Sequence, residues 1–324
     1  MLINKESLEN LYNSKLKPQL SDLNKQRIEI LDAIKKCGLI FIPFISISLY
    51  FFFFYATGVI PIALTIFVMI IWAYFKIFPL WKNYKFEFKD KVIRKVVNFI
   101  DDSLCYNPTE KLSLDKFQKS GIFTTGVDRY RGDDYVYGKI GSTQVEFSEV
   151  HAEYQTKTVD SKGRTKTHWH TIFKGLFFSV DFNKHFNAKT YVLTDTAEKL
   201  FGFLGKKLQS MNLSRDNLIN LENIDFEKQF VVYSADQIEA RYILSPSLME
   251  RILDFKNQTK KNIQMSFVDK KLFVVIPYRK DLFEPKLFGN IVDFNNLQEY
   301  YNDLVLILDL VDTLNLNTRI WTKN

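Results

Sequence analysis

Residues 37–75 read CGLIFIPFISISLYFFFFYATGVIPIALTIFVMIIWAYF and contain no charged side chain. A single helix of this length, at about 1.5 Å per residue, would be nearly twice as long as the roughly 30 Å hydrocarbon core of a bilayer is thick. Gly58 is suited to end one helix in the left-handed conformation, and Pro61 is suited to the first turn of the next. The stretch therefore predicts a transmembrane hairpin within residues 37–79, with helices over about 38–56 and 60–78.

The position of the apolar stretch limits the alternatives. It begins too late and is too long for a cleaved signal peptide. A re-entrant hairpin, which dips into the bilayer without crossing it, is the remaining alternative. Two segments that each match the bilayer thickness favour full crossing.

The charges around the stretch predict the orientation of the hairpin. Lys and Arg are retained on the cytoplasmic side, and the turn of the hairpin carries no charge. We therefore expect a multi-pass protein with both termini in the cytoplasm. The flanking basic residues are Lys25, Arg27, Lys35 and Lys36 before the stretch, and Lys76, Lys82, Lys85, Lys89, Lys91, Arg94 and Lys95 after it.

The overall charge argues against a nucleic-acid-binding protein. The net charge is +7, and more than half of it lies in residues 1–84, which carry nine Lys or Arg and five Asp or Glu. The remaining 240 residues are nearly balanced, so they offer no basic surface of the size that nucleic acid requires. Two cysteines, Cys37 and Cys105, are too few for a disulfide framework and indicate a reducing compartment.

Two amphipathic segments flank the hairpin. In residues 1–36, which predict a helix interrupted near Pro18, a four-three spacing of apolar residues favours either a short coiled coil or an amphipathic helix packed on the soluble domain of the same chain. Residues 80–100 carry a basic helix that either lies on anionic lipid or forms the first core element of the following domain. The apolar positions are Leu16, Leu20, Leu23, Ile30 and Ile34 in the first segment, and Val92, Ile93, Val96, Val97 and Ile100 in the second.

Residues 101–324 predict a cytoplasmic α+β domain that is soluble by itself. Strand patterns mix with helix patterns without regular alternation, which favours a mixed or antiparallel sheet. Ser245 and Pro246 predict the start of a helix, as N-cap and first residue. The predicted strands are 143–154 with a bulge near 148–149, 176–182, 230–233, 241–244, and a hairpin of 263–268 and 272–278; 297–314 predicts a closing helix.

Several motifs of this domain resemble a bacterial membrane family, the domain of unknown function 3137. The resemblance implies two membrane helices ahead of the domain, a place in the bacterial inner membrane, and a LemA-type membrane protein as a possible partner. It implies no activity and no catalytic residue. The motifs are Ser120–Phe123, Asp128–Tyr130, Gly132–Gly141, Phe147–Val150, Phe173–Phe178, Phe226–Phe230 and Glu239–Pro246.

Three groups of residues are candidates for chemistry, and each also has a structural interpretation. His168 and His170, with His151, lie where strand spacing points two imidazoles to one side, but no further ligand joins them. Asp128, Asp133 and Asp134 suit Mg²⁺, although the arginines among them favour a polar turn with internal ion pairs. Residues 202–207 place Lys after Gly without the spacing of a phosphate-binding loop, which favours a turn or helix packing.

No catalytic, cofactor-binding or metal-ligating residue is assigned from the sequence. The favoured function is a non-enzymatic scaffold, adaptor or sensor that is anchored in the bilayer and associates with itself or a partner protein. The alternatives are a lipid-binding domain and a membrane-tethered enzyme that uses Asp133, Asp134, Glu149 and His151.

Overall fold

The computed structural model describes residues 5–55, 59–182, 185–194 and 217–314. Contacts divide the chain into two compact units. The first, called the hairpin unit, comprises Leu2–Val96 and Phe283–Tyr301. The second, called the sheet unit, comprises Val97–Leu282 and Asn302–Asn324, with Met1.

The N-terminal part of the chain forms two long helical runs. The first consists of α1 (Lys5–Leu11), a π-helical turn (Tyr12–Leu16) and α2 (Lys17–Tyr55). The second consists of α3 (Val59–Phe88), another π-helical turn (Lys89–Ile93) and α4 (Arg94–Ile100). Both runs are long and apolar enough to cross a membrane, as the sequence predicts.

Pro18, Gly58 and Pro61 are the residues that the sequence predicts to interrupt or bound the helices. Pro61 lies in the first turn of α3, as predicted, whereas Gly58 lies outside the described residues. The interruption predicted near Pro18 is a π-helical turn that ends two residues earlier. Because proline has no N–H to donate to the carbonyl of Ser14, the hydrogen-bond ladder is displaced there without ending the helix.

Most apolar positions of the two amphipathic segments are buried within the chain. Leu16, Leu20, Leu23 and Ile30 are at most 2% exposed, so the intramolecular alternative is confirmed for these four, whereas Ile34 is 38% exposed. An intermolecular coiled coil would need these same side chains at the surface. The predicted apolar face of residues 86–100 is likewise buried, which excludes the interpretation that this face lies on lipid.

Residues 283–301 pack against the helices of the hairpin unit. The hydroxyl of Tyr12 donates to the carbonyl of Val292. Arg27 Nη1 donates to the carbonyl of Leu287 at 3.1 Å, and the hydroxyl of Tyr84 donates to the carbonyl of Lys286 at 3.2 Å. Lys89, which is 4% exposed, pairs with Glu284 at 3.0 Å, and Lys85 pairs with the same carboxylate at 3.1 Å.

The described residues of the sheet unit form one nine-stranded sheet in which all neighbouring strands are antiparallel. The strand order is β1-β2-β3-β4-β9-β8-β5-β7-β6. Together with its helices, this sheet confirms the predicted α+β class. The strands are β1 (Cys105–Asn107), β2 (Arg129–Ile140), β3 (Thr143–Val159), β4 (Thr165–Asp181), β5 (Thr190–Thr194), β6 (Asn217–Ile219), β7 (Phe230–Ser234), β8 (Gln264–Val268) and β9 (Lys271–Pro277).

The described residues that follow the hairpin contain five further helices. The predicted N-cap is confirmed, because Ser245 Oγ accepts from the backbone N–H of Leu248 at the start of α8. The hairpin of β8 and β9 and the closing helix α9 are also as predicted. The helices are α5 (Leu114–Lys119), α6 (Ile224–Glu227), α7 (Gln237–Ile243), α8 (Pro246–Thr259) and α9 (Phe294–Thr313).

Two sequence-based predictions for this unit were wrong. Residues 241–243 belong to α7 and not to a strand, with Leu244 as the C-cap, since Asp236 caps the start of a helix there. The bulge predicted within β3 lies in its partner β2. The apolar pattern of β3 changes phase because both faces of the strand are buried: Phe147 stacks on Phe178 at one face, and Val150 joins the apolar cluster around Phe177 at the other.

Candidate functional site

A bulge in β2 brings three carboxylates together. Asp133 lies opposite Glu149 of β3. The register then shifts, so that two residues of β2, Asp134 and Tyr135, face a single residue of β3. Asp134 has a positive φ of 57°, which Asp tolerates better than most residues. Carboxylate oxygens of Asp133, Asp134 and Glu149 consequently lie within 4.8 Å of one another.

Two of the three acidic residues, Asp134 and Glu149, are buried and hydrogen-bonded, whereas Asp133 is half-buried. Asp134 is 1% exposed and accepts from the hydroxyl of Tyr106. Glu149 is 4% exposed, and its Oε2 accepts from the backbone N–H of Leu282 at 3.1 Å. Its other oxygen, Oε1, is buried and has no hydrogen-bond partner among the described residues.

The pKa of Glu149 is raised to about 8, chiefly by burial and also by the neighbouring carboxylates of Asp281, Asp134 and Asp133, whereas the N–H of Leu282 opposes the shift. Charged groups that lose water favour the neutral form, and like charges nearby add to this effect. At neutral pH, Glu149 is therefore mostly protonated when no cation is bound.

The geometry of the cluster accommodates a proton or a divalent cation. Mg²⁺ binds oxygen at about 2.0–2.1 Å and Ca²⁺ at about 2.3–2.6 Å, so ligand atoms of one ion lie within about 5 Å of each other. The three carboxylates meet that condition. A bound cation would displace the proton of Glu149, because a coordinating carboxylate must be ionised.

His151 follows Glu149 by two residues on β3 but does not belong to the cluster. Its Nε2 lies 3.1 Å from the hydroxyl of Thr171 and 3.8 Å from a carboxylate oxygen of Glu153. Burial lowers the pKa of His151, and the charge of Glu153 partly offsets this effect. Of the four residues named for a tethered enzyme, the structure thus unites the three acids and directs the imidazole elsewhere.

The polar turn predicted around Asp128 was wrong. Residues 129–140 form strand β2, and Asp128 lies before it, where its carboxylate accepts from the backbone N–H of Gln155 at 2.8 Å. Arg129 and Arg131 do not pair with the nearby aspartates but reach across to Glu153 on β3, at 2.7 and 2.9 Å. Asp128 is therefore separate from the acidic cluster.

The other candidate groups remain without a ligand site. His170 Nε2 lies 2.8 Å from the hydroxyl of Thr156, and His168 Nε2 lies 3.3 Å from that of Thr158. Both imidazoles are exposed, and within the described ranges no carboxylate or thiol completes a metal-ligating group with them. Residues 202–207 lie outside the described residues.

The sheet unit also contains a basic groove that is not among the sites predicted from the sequence. This groove has a volume of about 1020 Å³. A signal for it was present: Lys260 and Lys261 precede the predicted hairpin, and Arg279 and Lys280 follow it. Because antiparallel strands place the start of one beside the end of the other, these four cations meet at the open end of the hairpin. The groove is lined by Phe123, His151, residues 171–174, 259–262, Gln264, 277–280, Leu282, Asp303 and Leu306.

Comparison with known proteins identifies one part of the chain. No curated protein matches it. A solved structure, the mycobacterial trehalose monomycolate transport factor A, TtfA, is 13% identical, with a TM-score of 0.32, over 68% of this chain and 94% of that chain. A likeness at that level carries no inference about fold or function. Residues 171–316 match the family described as Protein of unknown function (DUF3137), so the predicted resemblance is confirmed for this part of the chain.

Proposed function

We propose that this chain is a non-enzymatic, membrane-anchored binding protein, acting as a scaffold, adaptor or sensor through its sheet unit. One observation supports anchoring in a membrane: apolar side chains of α2 and α3 are exposed in the stretch that contains no charged residue. Phe53 is 76% exposed, Ile60 is 80% exposed and Phe75 is 69% exposed. Apolar surface of this extent is unfavourable in water and favourable in a bilayer.

The proposed orientation places both termini in the cytoplasm of a bacterium. It rests on the positive charges that flank both ends of the hairpin. Topology reporters fused after Asn4 and Asn324 should both report the cytoplasm, whereas a reporter inserted at Gly58 should report the opposite side. A C-terminus on the periplasmic side would refute the two-span arrangement.

A second candidate function, a metal-dependent enzyme, is favoured by the acidic cluster alone. Purified protein would be titrated with Mg²⁺, Mn²⁺ and Ca²⁺, with thermal stability and metal content as readouts. This candidate requires near-stoichiometric binding that Asp134→Asn and Glu149→Gln abolish, and that strengthens between pH 6 and 8 as the proton of Glu149 is lost. Absence of binding at millimolar concentration would remove it.

Association with a partner is part of the proposal. Small and hydroxyl residues in the hairpin allow helices to approach closely in a bilayer. Crosslinking in intact cells, followed by mass spectrometry, would identify a second copy, a LemA-type protein or another partner. Recovery of a lone monomer would leave only the ligand-binding role. The residues are Ser46, Ser48, Ala56, Thr57, Ala63 and Thr65.

A further inference from the structure

The basic groove of the sheet unit carries an excess of positive charge. Five of its lining residues are Lys or Arg, and one, Asp303, is acidic. Lys174 is neutralised by Asp281, with Nζ 2.8 Å from the carboxylate. Even with both acids counted, three positive charges remain in excess around one concave surface. Like charges held together in this way repel one another and attract an anion.

Three of the four cations at the open end of the hairpin have no ion-pair partner among the described residues. Lys260, Arg279 and Lys280 form no ion pair with any residue in the described ranges, and all three are exposed. Lys261 lies over the ring of Tyr278, with Nζ 4.6 Å from the ring centroid. The four groups therefore surround the rim of the groove with their charge directed to solvent or to a ligand.

Helix capping explains only part of this arrangement. Lys260 ends α8 in the left-handed conformation, with φ at 52°, and a positive charge there complements the negative end of the helix dipole. Arg279 and Lys280 follow a strand, where no such dipole exists. Their position beside the first pair requires another explanation.

The groove also has an apolar floor. Phe123, Ile172 and Leu306 are half-buried and line it, together with the buried Phe173 and Leu282. Its volume of about 1020 Å³ lies at the upper end of the roughly 300–1,000 Å³ that ligand pockets span. A basic rim above an apolar floor matches a ligand with an anionic head and an apolar tail.

We propose that this groove binds the phosphate head group of an anionic lipid at Lys260, Arg279 and Lys280, with part of its acyl chain on Ile172, Phe173 and Leu306. The proposal gives a ligand class to the binding role proposed above for the sheet unit. It does not depend on the orientation of the hairpin, so a failed topology test would leave it intact.

The test uses the full chain in nanodiscs of neutral phosphatidylcholine. Calorimetry would compare dihexanoyl phosphatidylglycerol, kept below its micelle concentration, with dihexanoyl phosphatidylcholine and glycerol phosphate. We expect the anionic lipid to bind at least about ten-fold more tightly than either, since head group and chain each contribute. Equal affinity for glycerol phosphate would show that a soluble phosphate suffices and would overturn the lipid assignment.

Two variants separate the rim from the floor. The triple change Lys260→Gln, Arg279→Gln and Lys280→Gln should weaken binding about ten-fold or more and flatten its salt dependence. Ile172→Thr should weaken binding of the lipid by about three- to ten-fold. It should leave binding of glycerol phosphate unchanged, which also reports an intact fold.

The matched control removes three exposed lysines that lie outside the groove: Lys119→Gln, Lys228→Gln and Lys270→Gln. Its net charge equals that of the rim variant, so nonspecific attraction falls equally in both. We expect the control to bind as the unchanged chain does. Equal losses in the two triple variants would overturn the groove as the binding site.

Discussion

The two ends of the same helices use apolar residues in opposite ways. Near the N-terminus of α2, Leu16 and Leu23 are fully buried among charged neighbours. Further along, Phe53 and, across the turn, Ile60 are more than three-quarters exposed. The difference lies in the pattern: a narrow apolar stripe indicates packing against protein, whereas a helix that is apolar on all sides indicates lipid. Hydrophobicity alone does not separate the two environments, but its periodicity does.

The largest expected effect comes from removing the helices. Sequence alone predicts that residues 101–324 are soluble. The place of residues 283–301 in the hairpin unit predicts the opposite, because Phe283, Ile291 and Leu297 are at most 5% exposed there and would lose their cover. We expect 101–324 to aggregate, as measured by sedimentation.

A matched chain, residues 97–282 joined by a short Gly-Ser linker to 302–324, lacks that segment and should be more soluble. Equal solubility of the two chains would contradict the assignment of 283–301 to the hairpin unit.

A single buried position should show the contrast between the two ends of α2. Leu23→Ala should lower the free energy of unfolding by about 2–5 kcal/mol, the range for buried leucines that leave a cavity. Phe53→Ala, at an exposed position, should change it by less than about 0.5 kcal/mol. Denaturation in a mild detergent measures both, and similar losses at the two sites would break the contrast.

The next largest effect on stability is expected for the ion pair between Lys89 and Glu284. Glu284→Gln leaves Lys89, 4% exposed, without its full counter-charge and should cost about 2–3 kcal/mol. The exposed pair of Lys286 and Glu299 provides the control, since Glu299→Gln should cost less than about 0.5 kcal/mol. If Lys89→Met added to Glu284→Gln restores no stability, the buried charge is not the cause of the loss.

The acidic cluster should give the sheet unit a distinctive pH dependence. The folded chain holds the proton of Glu149 up to a pKa of about 8, whereas the unfolded chain releases it near 4.5. The free energy of unfolding therefore falls as pH rises between these values, and Glu149→Gln should remove about 1–3 kcal/mol of that dependence.

Glu87 in the hairpin unit should give a pH dependence of the free energy of unfolding with the opposite sign. Its hydrogen bond to Lys91 lowers its pKa, so its contribution is lost as pH falls. Melting temperatures of the two Gln variants would separate them over pH 3 to 8: Glu87→Gln should alter the pH dependence only below about 4.5, and Glu149→Gln between about 4.5 and 8. Parallel curves over that whole range would contradict both assignments.

The smallest effect is expected at the exposed histidines. His168→Ala with His170→Ala should change the free energy of unfolding by less than about 0.5 kcal/mol, because each imidazole contacts a threonine at the surface. We also predict unchanged metal content in the double variant. Stoichiometric zinc that disappears with both histidines would refute this.

Local patterns account for the parts of the fold that the sequence predicts. The hairpin of β8 and β9 turns at Asp269, which adopts a φ of 57°, and α8 begins at a cap and a proline. The start of α7 also has a local signal that indicates a helix and not the predicted strand, because Asp236 and Glu239 stand at the spacing of a capping box.

The candidate site depends on contacts that no local pattern contains. Glu149 meets Asp133 and Asp134 only because β2 bulges by one residue, and the register of a strand pair is set by both strands at once. The groove could have been anticipated from its four cations, since the hairpin that unites them was already predicted. The packing of residues 283–301 with helices about 200 positions earlier in the chain could not have been anticipated from any local pattern.

That packing determines the order in which the protein can be completed during synthesis. The N-terminal helices leave the ribosome first, but the segment that covers them follows roughly 200 residues later. At about 5–20 residues per second, the interval is on the order of 10–40 s. Throughout it, the newly made helices carry an uncovered apolar stripe. A premature stop codon before residue 283 would leave this stripe exposed permanently, so such fragments should be favoured targets for chaperones and membrane proteases.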